Sequence, residues 1–318
     1  GTLVVDYVEP KPTSGRSVPR RRLAEGTFAL QCHDENSRVL YRGLRARPLP
    51  DTVNEAAEEP VVDDAYRQII ALQAANVPVI NAHVHLKGGL TLDEALALSR
   101  KTGVYYGIAV NCGVGFRVTN DAGIYRYLEE MRGQPAFVAM QAEGREWVKM
   151  FSREAIARFD YVFTDSMTYT DDRGRRMRLW MRDEVFVDDP QSFMDTLVDR
   201  AVGILSNEPI DIYVNPTFLP DVLAADYDAL WTEERMQRVI DAAVKHQVAI
   251  EINARYRLPS PRFIKLAKQA GAKFSFGTNN ADRDVGDIDY CLQMVRECEL
   301  EWQDMFLPRT VKGEPARR

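Results

Sequence analysis

Two of the chain's four histidines, His83 and His85, stand on alternate positions in the stretch NAHVHLKGGLTLDEAL, just ahead of a glycine pair and a helix start. Side chains at i and i+2 of a strand share a face, so both imidazoles can present a ring nitrogen to one point. Neutral imidazole is a ready ligand for a divalent ion. The same pair could instead cap a strand by bonding loop carbonyls, so its meaning depends on what else reaches the spot. Polar residues recur in similar settings downstream: Gln141 and Glu143 close AFVAMQAE, Asp165 closes YVFTD, and Glu251, Asn253 and Arg255 follow one another on alternate positions in VAIEINAR. A catalytic ion usually keeps about three protein ligands and one open position. The expected set is therefore His83 and His85 with Glu143 or Asp165, around one divalent ion such as zinc, manganese or iron. Glu251 or Asp165 would carry the proton, and Lys87 and Arg255 would orient an anionic group. Asn111, Asn215, Asn253, Asn279 and Asn280 add amides, which are weak metal ligands but good partners for hydroxyl groups.

These residues share a position in the chain's rhythm. Seven β-rich runs, VPVINAHVH, YYGIAVN, AFVAMQAE, YVFTD, IDIYVNP, VAIEIN and KFSFGT, each carry their most polar residues at the C-terminal end and alternate with helical patterns. Thr91 and Glu94 have capping-box spacing ahead of one helix, and Gly103 supplies a left-handed stop. Thr232 caps a second helix, whose Met236, Val239, Ile240, Ala243 and Val244 fall at helical spacing. The alternation predicts an α/β fold, a distorted TIM-like (β/α)7 barrel. In such barrels the C-terminal strand ends form the active face. After the fourth run, TDDRGRRMRLWMRDE places five arginines around Gly174, a solvated hairpin whose aspartates neutralise it or a contact for an anionic ligand.

The 318 residues carry 41 basic and 47 acidic side chains, a net charge of −6, with no basic stripe to neutralise a phosphate backbone. A nucleic-acid partner is not expected. No apolar run approaches the ~20 residues of a membrane helix. The four cysteines, Cys32, Cys112, Cys291 and Cys298, lack C-x-x-C spacing and read as buried thiols. Residues 1–50 hold short β-type runs without a helix, residues 51–64 form an acidic, proline-bracketed linker, and 65–318 form the barrel. Neither oligomeric state nor compartment is legible.

The order of motifs resembles the polymerase and histidinol phosphatase (PHP) family of metal-dependent phosphoesterases. HVHLKGGLTLDEALALSRKTGVYYGIAV is similar to that family's opening, VAIEIN to its E-I-N strand, and FSFGTNNADRDVGDIDYCLQMV to its closing strand, turn and helix. The resemblance spans about residues 65–305 and implies a distorted seven-stranded barrel with a metal site. Of the family's trinuclear set only His83, His85 and Glu143 stand where ligands are expected. Asn111, Cys112 and Gly113 replace T-D-H, Asn215 replaces a histidine before Pro216, Met167 stands where another is usual with Asp165 two residues earlier, and Asn279 and Ala281 replace the closing aspartate and histidine. At most one metal is implied. VVDYVEP and GTFALQCHDENSRVLYRGLRARPLP resemble the last strands of 3-keto-disaccharide hydrolase-like β-sandwich domains, with His33 and Asp34 in a structural role. That resemblance implies a carbohydrate context, and export if the chain is the C-terminal part of a longer precursor.

Two functions are compatible with these residues. The first is a metal-dependent hydrolase acting on a small anionic or carbohydrate substrate. The second is a degenerate barrel that binds a carbohydrate or a protein partner without turning it over.

Overall fold

The computed structural model describes residues 63–308 apart from Asp172. The N-terminal β segment expected over 1–50, the linker up to residue 62, Cys32, His33, Asp34 and the last ten residues lie outside the described residues.

Apolar runs that are buried on both faces favour parallel strands covered by helices, and the chain follows that rule. The strands are β1 (Ile80–His85), β2 (Tyr105–Cys112), β3 (Phe137–Ala142), β4 (Tyr161–Thr164), β5 (Thr168–Thr170), β6 (Arg176–Arg178), β7 (Ile212–Tyr213), β8 (Ala249–Asn253) and β9 (Phe274–Gly277). Seven of them close a parallel barrel in the order β1-β2-β3-β4-β7-β8-β9, and Asn81 opposite Phe276 completes the ring between β1 and β9. The expected (β/α)7 barrel is thus present, each of its strands falling in one of the seven runs. The remaining two, β5 and β6, form the antiparallel hairpin around Gly174.

Helices fill the crossovers where the sequence signals place them. The helix Leu92–Thr102 starts with the Thr91–Glu94 capping box and stops at Gly103 in the left-handed region. Thr232 caps Glu233–His246, whose buried Met236, Val239, Ile240 and Ala243 pack on the barrel wall. A first helix, Asp64–Ala74, is capped by Asp63, at the end of the stretch expected as linker. No helix among the described residues is long and apolar enough to cross a membrane. Cys112, Cys291 and Cys298 are buried free thiols.

Inside the barrel, Ile80, Ala82, Ala109, Phe137, Ala139, Tyr161, Phe163, Ile212, Val214 and Ala249 form a packed lumen core, separate from the larger core between wall and helices. Phe306, from the chain after the last helix, packs against this core. The lumen is therefore solid below the C-terminal strand ends, as in other small barrels.

The pairing of β1 with β2 is irregular at one point. Asn81 pairs with Tyr106 but Val84 pairs with Ile108, so Ala82 and His83 together face the single residue Gly107. This is the geometry of a β-bulge, which re-aims side chains. Ile80 and Ala82 belong to the lumen core; without the bulge, strict alternation would send His83 and His85 outward. With it, His83 lies against Phe163 of the lumen and both histidines face inward. Tyr161 braces the bulge by donating its hydroxyl to the carbonyl of Ala82 at 2.7 Å. A Cβ on Gly107 would occupy the place of that hydroxyl.

Candidate functional site

The two inward-facing imidazoles are buried, with ring centroids 5.1 Å apart and planes at 74°. Each has one nitrogen engaged. His83 Nδ1 lies 2.6 Å from Glu251 Oε1, and His85 Nδ1 lies 3.2 Å from the carbonyl of Ala109. These bonds fix each ring's orientation and set the Nδ1 proton against its acceptor. The remaining nitrogens, His83 Nε2 and His85 Nε2, are buried without a hydrogen-bond partner. Gln141 stands close enough to His85 to favour its protonated form slightly, yet gives Nε2 no bond of acceptable geometry. Burial, reinforced by the neighbouring His83 and Lys87, holds the His85 pKa well below its ordinary value. His85 is therefore neutral at neutral pH, with a lone pair on Nε2.

The lumen-facing ends of the other strands surround this pair. Glu251 has both oxygens occupied: beyond His83, its Oε2 accepts from the backbone N–H of Asn215 at 2.8 Å and from Asn253 Nδ2 at 3.0 Å. A Cβ on Gly277 would overlap Glu251 Oε1 and stand 2.9 Å from His83 Cβ, so β9 must be bare at this position. Asp165 accepts from the backbone N–H of Met167 and from Asn215 Nδ2. Glu143 accepts from Asn111 Nδ2 at 2.6 Å. Burial and then the field of Asp165 push the Glu143 carboxyl up to about 7, and burial also raises Asp165. Two half-buried carboxyl groups thus lie within one field, where the charge of each disfavours ionisation of the other.

No family model matches the chain, and no curated protein does. Among solved structures it is similar to a histidinol phosphate phosphatase from Lactococcus lactis complexed with zinc, L-histidinol and phosphate, at 11% identity and a TM-score of 0.49, covering 70% of this chain and 94% of that one. It is also similar to a citrate lyase from Burkholderia xenovorans (10% identity, TM-score 0.35, covering 69% and 76%) and to an HpcH/HpaI aldolase from Desulfitobacterium hafniense (12%, 0.32, covering 65% and 89%).

The expected site residues lie near the C-terminal ends of the barrel strands, in differing states of engagement. The amides are mostly spent on each other and on the carboxylates. Asn253 Nδ2 donates to Asn215 Oδ1 while its Oδ1 accepts from the backbone N–H of Tyr256, and Asn279 Nδ2 donates to Asn215 Oδ1 at 3.3 Å. Asn111 Nδ2 is shared between Gln141 and Glu143. Asn280 ties the closing turn to β1, accepting from the His85 backbone N–H and donating to the carbonyls of His85 and Asp282. Lys87 and Arg255 lie at the rim. Burial lowers the Lys87 pKa, Glu143 opposes that shift, and Arg255 adds to it, which places the three groups within one field. The arginine-rich hairpin is largely self-neutralised, with Arg175 paired to Asp171, Arg173 to Asp188 and Arg178 to Glu184.

Sequence reasoning missed two residues. Arg145 reaches Glu208 at 2.7 Å, the hydroxyl of Thr164 and the carbonyl of Asp165, bracing the strand end that carries Asp165. Tyr256 stands next to Arg255 and within the fields of Asp165 and Glu251. Both look like ordinary loop residues in sequence, and only their place just beyond a strand end hinted at a role.

The donors suit a divalent ion in part. The two buried imidazole nitrogens without a hydrogen-bond partner are a donor pair of the kind a divalent ion uses. Among the described residues, however, no group of three histidine, cysteine, aspartate or glutamate side chains is gathered closely enough to hold an ion. The pair of imidazoles fits a single metal; a three-metal set does not fit these residues.

Proposed function

We propose that the mouth of the barrel is a one-metal hydrolytic site in which His83 and His85 hold a divalent ion through Nε2 and Glu143 or Asp165 completes the set. The observation that carries this is the state of the two imidazoles: both Nδ1 atoms are fixed by acceptors and both Nε2 atoms are buried and unpartnered. Metal-binding histidines are oriented by this kind of outer bond, commonly to a carboxylate or a backbone carbonyl. The order of motifs that resembles the PHP family supports the same reading. When bound, the ion supplies Lewis-acid polarisation of a phosphoryl or carbonyl oxygen and makes water more acidic.

The protein's own groups divide the remaining work. Glu251, with both oxygens engaged, orients His83 and is poorly free to move a proton. Where Asp165 completes the metal set, Glu143, pushed up to about 7 in the metal-free protein, is the group left to hold and release a proton. Lys87 and Arg255 attract and orient an anionic group at the rim. The sugar-binding alternative gains little support from the amides, since the amide nitrogens of Asn111, Asn215, Asn253, Asn279 and Asn280 each already donate within the protein.

Turnover tests the reading. Protein loaded separately with zinc, manganese and iron(II) is assayed against p-nitrophenyl phosphate and p-nitrophenyl acetate. Hydrolysis of one ester is expected, abolished by chelator and by His85→Ala. Metal-loaded protein that turns over neither ester would overturn the hydrolytic assignment.

A further inference from the structure

Between the barrel wall and its helices the packing leaves a gap that the imidazole pair does not use. A cavity of about 180 Å³ lies among the helix Asp64–Ala74, the C-terminal end of the helix Leu92–Thr102 and the start of the helix Asp289–Glu297. Tyr66, Ile69, Val104, Tyr106 and Leu292 form apolar walls, and all of these but Tyr66 belong to the core outside the barrel wall. The cavity is therefore no part of the lumen toward which His83 and His85 face. Close packing leaves few voids larger than a water molecule. An apolar cavity of about 150 Å³ stays dry and holds benzene, so this one has room for a single six-membered ring.

Its polar groups select among such bodies. Asn81, buried at the wall, is spent on the barrel: its Nδ2 donates to Thr278 Oγ1 at 2.8 Å and its Oδ1 accepts from the Thr278 N–H at 3.1 Å. The Thr102 hydroxyl donates to the carbonyl of Leu98. Asp63, Asp287 and Asp289 are exposed at the cavity's edge. Asp63 and Asp287 each use Oδ1 on the N–H of a helix start, that of Tyr66 and that of Asp289. Among the described residues none of the three carboxylates forms an ion pair, and Lys101 is the one cationic side chain in the lining. Burial raises the Asp289 carboxyl, and the fields of Asp287 and then Asp63 raise it further against those of Arg257 and Arg296, whose guanidiniums are bonded to Gln293 and Gln68. An apolar cavity thus opens onto a negative edge, the complement of an apolar body that carries a positive charge.

We propose that this cavity binds a small organic cation, an amine carried on a single ring, its body enclosed by Tyr66, Ile69, Val104, Tyr106 and Leu292 and its ammonium group held at the edge by Asp63, Asp287 and Asp289. The site is separate from the mouth of the barrel and needs neither metal nor turnover, so it stands independently of the hydrolytic reading.

The test uses phenethylamine and its neutral isostere phenethyl alcohol as probes, each titrated into the full chain and followed by the NMR shifts of the Ile69 and Leu292 methyl groups. Phenethylamine is expected to bind about fivefold more tightly, the effect of one or two exposed ion pairs, and added salt should shrink the ratio. Asp287→Asn combined with Asp289→Asn keeps an acceptor for the helix start and should bring the ratio close to one. Ala65→Phe, which adds a ring to a half-buried position in the lining, should abolish binding of both probes. Should that variant fail to fold, as judged by circular dichroism, the methyl shifts and the double variant decide the matter. No shift at Ile69 and Leu292 with phenethylamine, equal affinities in the unsubstituted protein, a ratio that survives loss of both carboxylates, or undiminished binding by folded Ala65→Phe would each overturn the proposal. A protein that binds phenethylamine here but neither holds metal nor hydrolyses esters would retain this site and lose the hydrolytic reading.

Discussion

Glu251 on β8 faces His83 on β1 across the lumen, its Oε1 2.6 Å from Nδ1, while its Oε2 receives Asn215 and Asn253. One buried carboxylate thus joins a candidate ligand to the turn after β7 and to the end of its own strand. Removing it leaves three buried donors unpaired. Glu251→Ala is expected to lower folding stability by about 3 kcal/mol or more. Glu251→Gln should cost less stability yet lower metal affinity about 10- to 100-fold, as loss of an outer-shell partner does. Urea unfolding and zinc titration separate the two effects, and an unchanged zinc affinity in Glu251→Gln would show that the carboxylate does not set up His83.

The Glu143 carboxyl gives the fold a pH dependence of defined sign. Its pKa rises from 4.5 to about 7 on folding. Between those values the unfolded chain has released the proton and the folded chain keeps it. Stability is therefore favoured at the acid side, falls as pH rises through this window, and levels off above it, by at most about 3 kcal/mol. Glu143→Gln retains an acceptor for Asn111 and removes the charge. The variant should gain on the unsubstituted protein as the pH of thermal melts rises from 5 to 8. A constant difference across that range would contradict the assignment.

The bulge depends on Tyr161. Replacing it with phenylalanine removes the 2.7 Å bond to the carbonyl of Ala82, at a cost of about 1 kcal/mol. Because Ala82 precedes His83 in the bulge, Tyr161→Phe is also expected to weaken metal binding. A variant as stable as the parent, with equal zinc affinity, would mean the bulge holds without the brace.

Much of the barrel was legible because its signals are local. The seven strands announce themselves as apolar runs with polar ends, Thr91 with Glu94 and Thr232 announce helix starts, and Gly103 announces a stop. His83, His85, Glu143, Asp165 and Glu251 could be picked out as candidates because each falls within two residues of the C-terminal end of a strand. The bulge was not. Ile80 and Ala82 set a parity that puts the histidines on the wall side, and the extra residue that reverses it shows only in the pairing of Asn81 and Val84 with β2. The amide network was equally hidden, since five asparagines that read as open hydrogen-bond donors turn out to bond one another, the carboxylates and the backbone. Arg145 braces the end of β4 through side-chain reach to Glu208, Thr164 and the carbonyl of Asp165, which no spacing along the chain encodes.

The metal claim is tested most directly by elemental mass spectrometry on protein purified without a histidine tag or chelator, alongside a His83→Ala/His85→Ala double variant. About one zinc, manganese or iron per chain is expected in the parent, and none in the variant. A parent that stays metal-free after incubation with each ion, or a variant that keeps the same metal content, would contradict the site at His83 and His85.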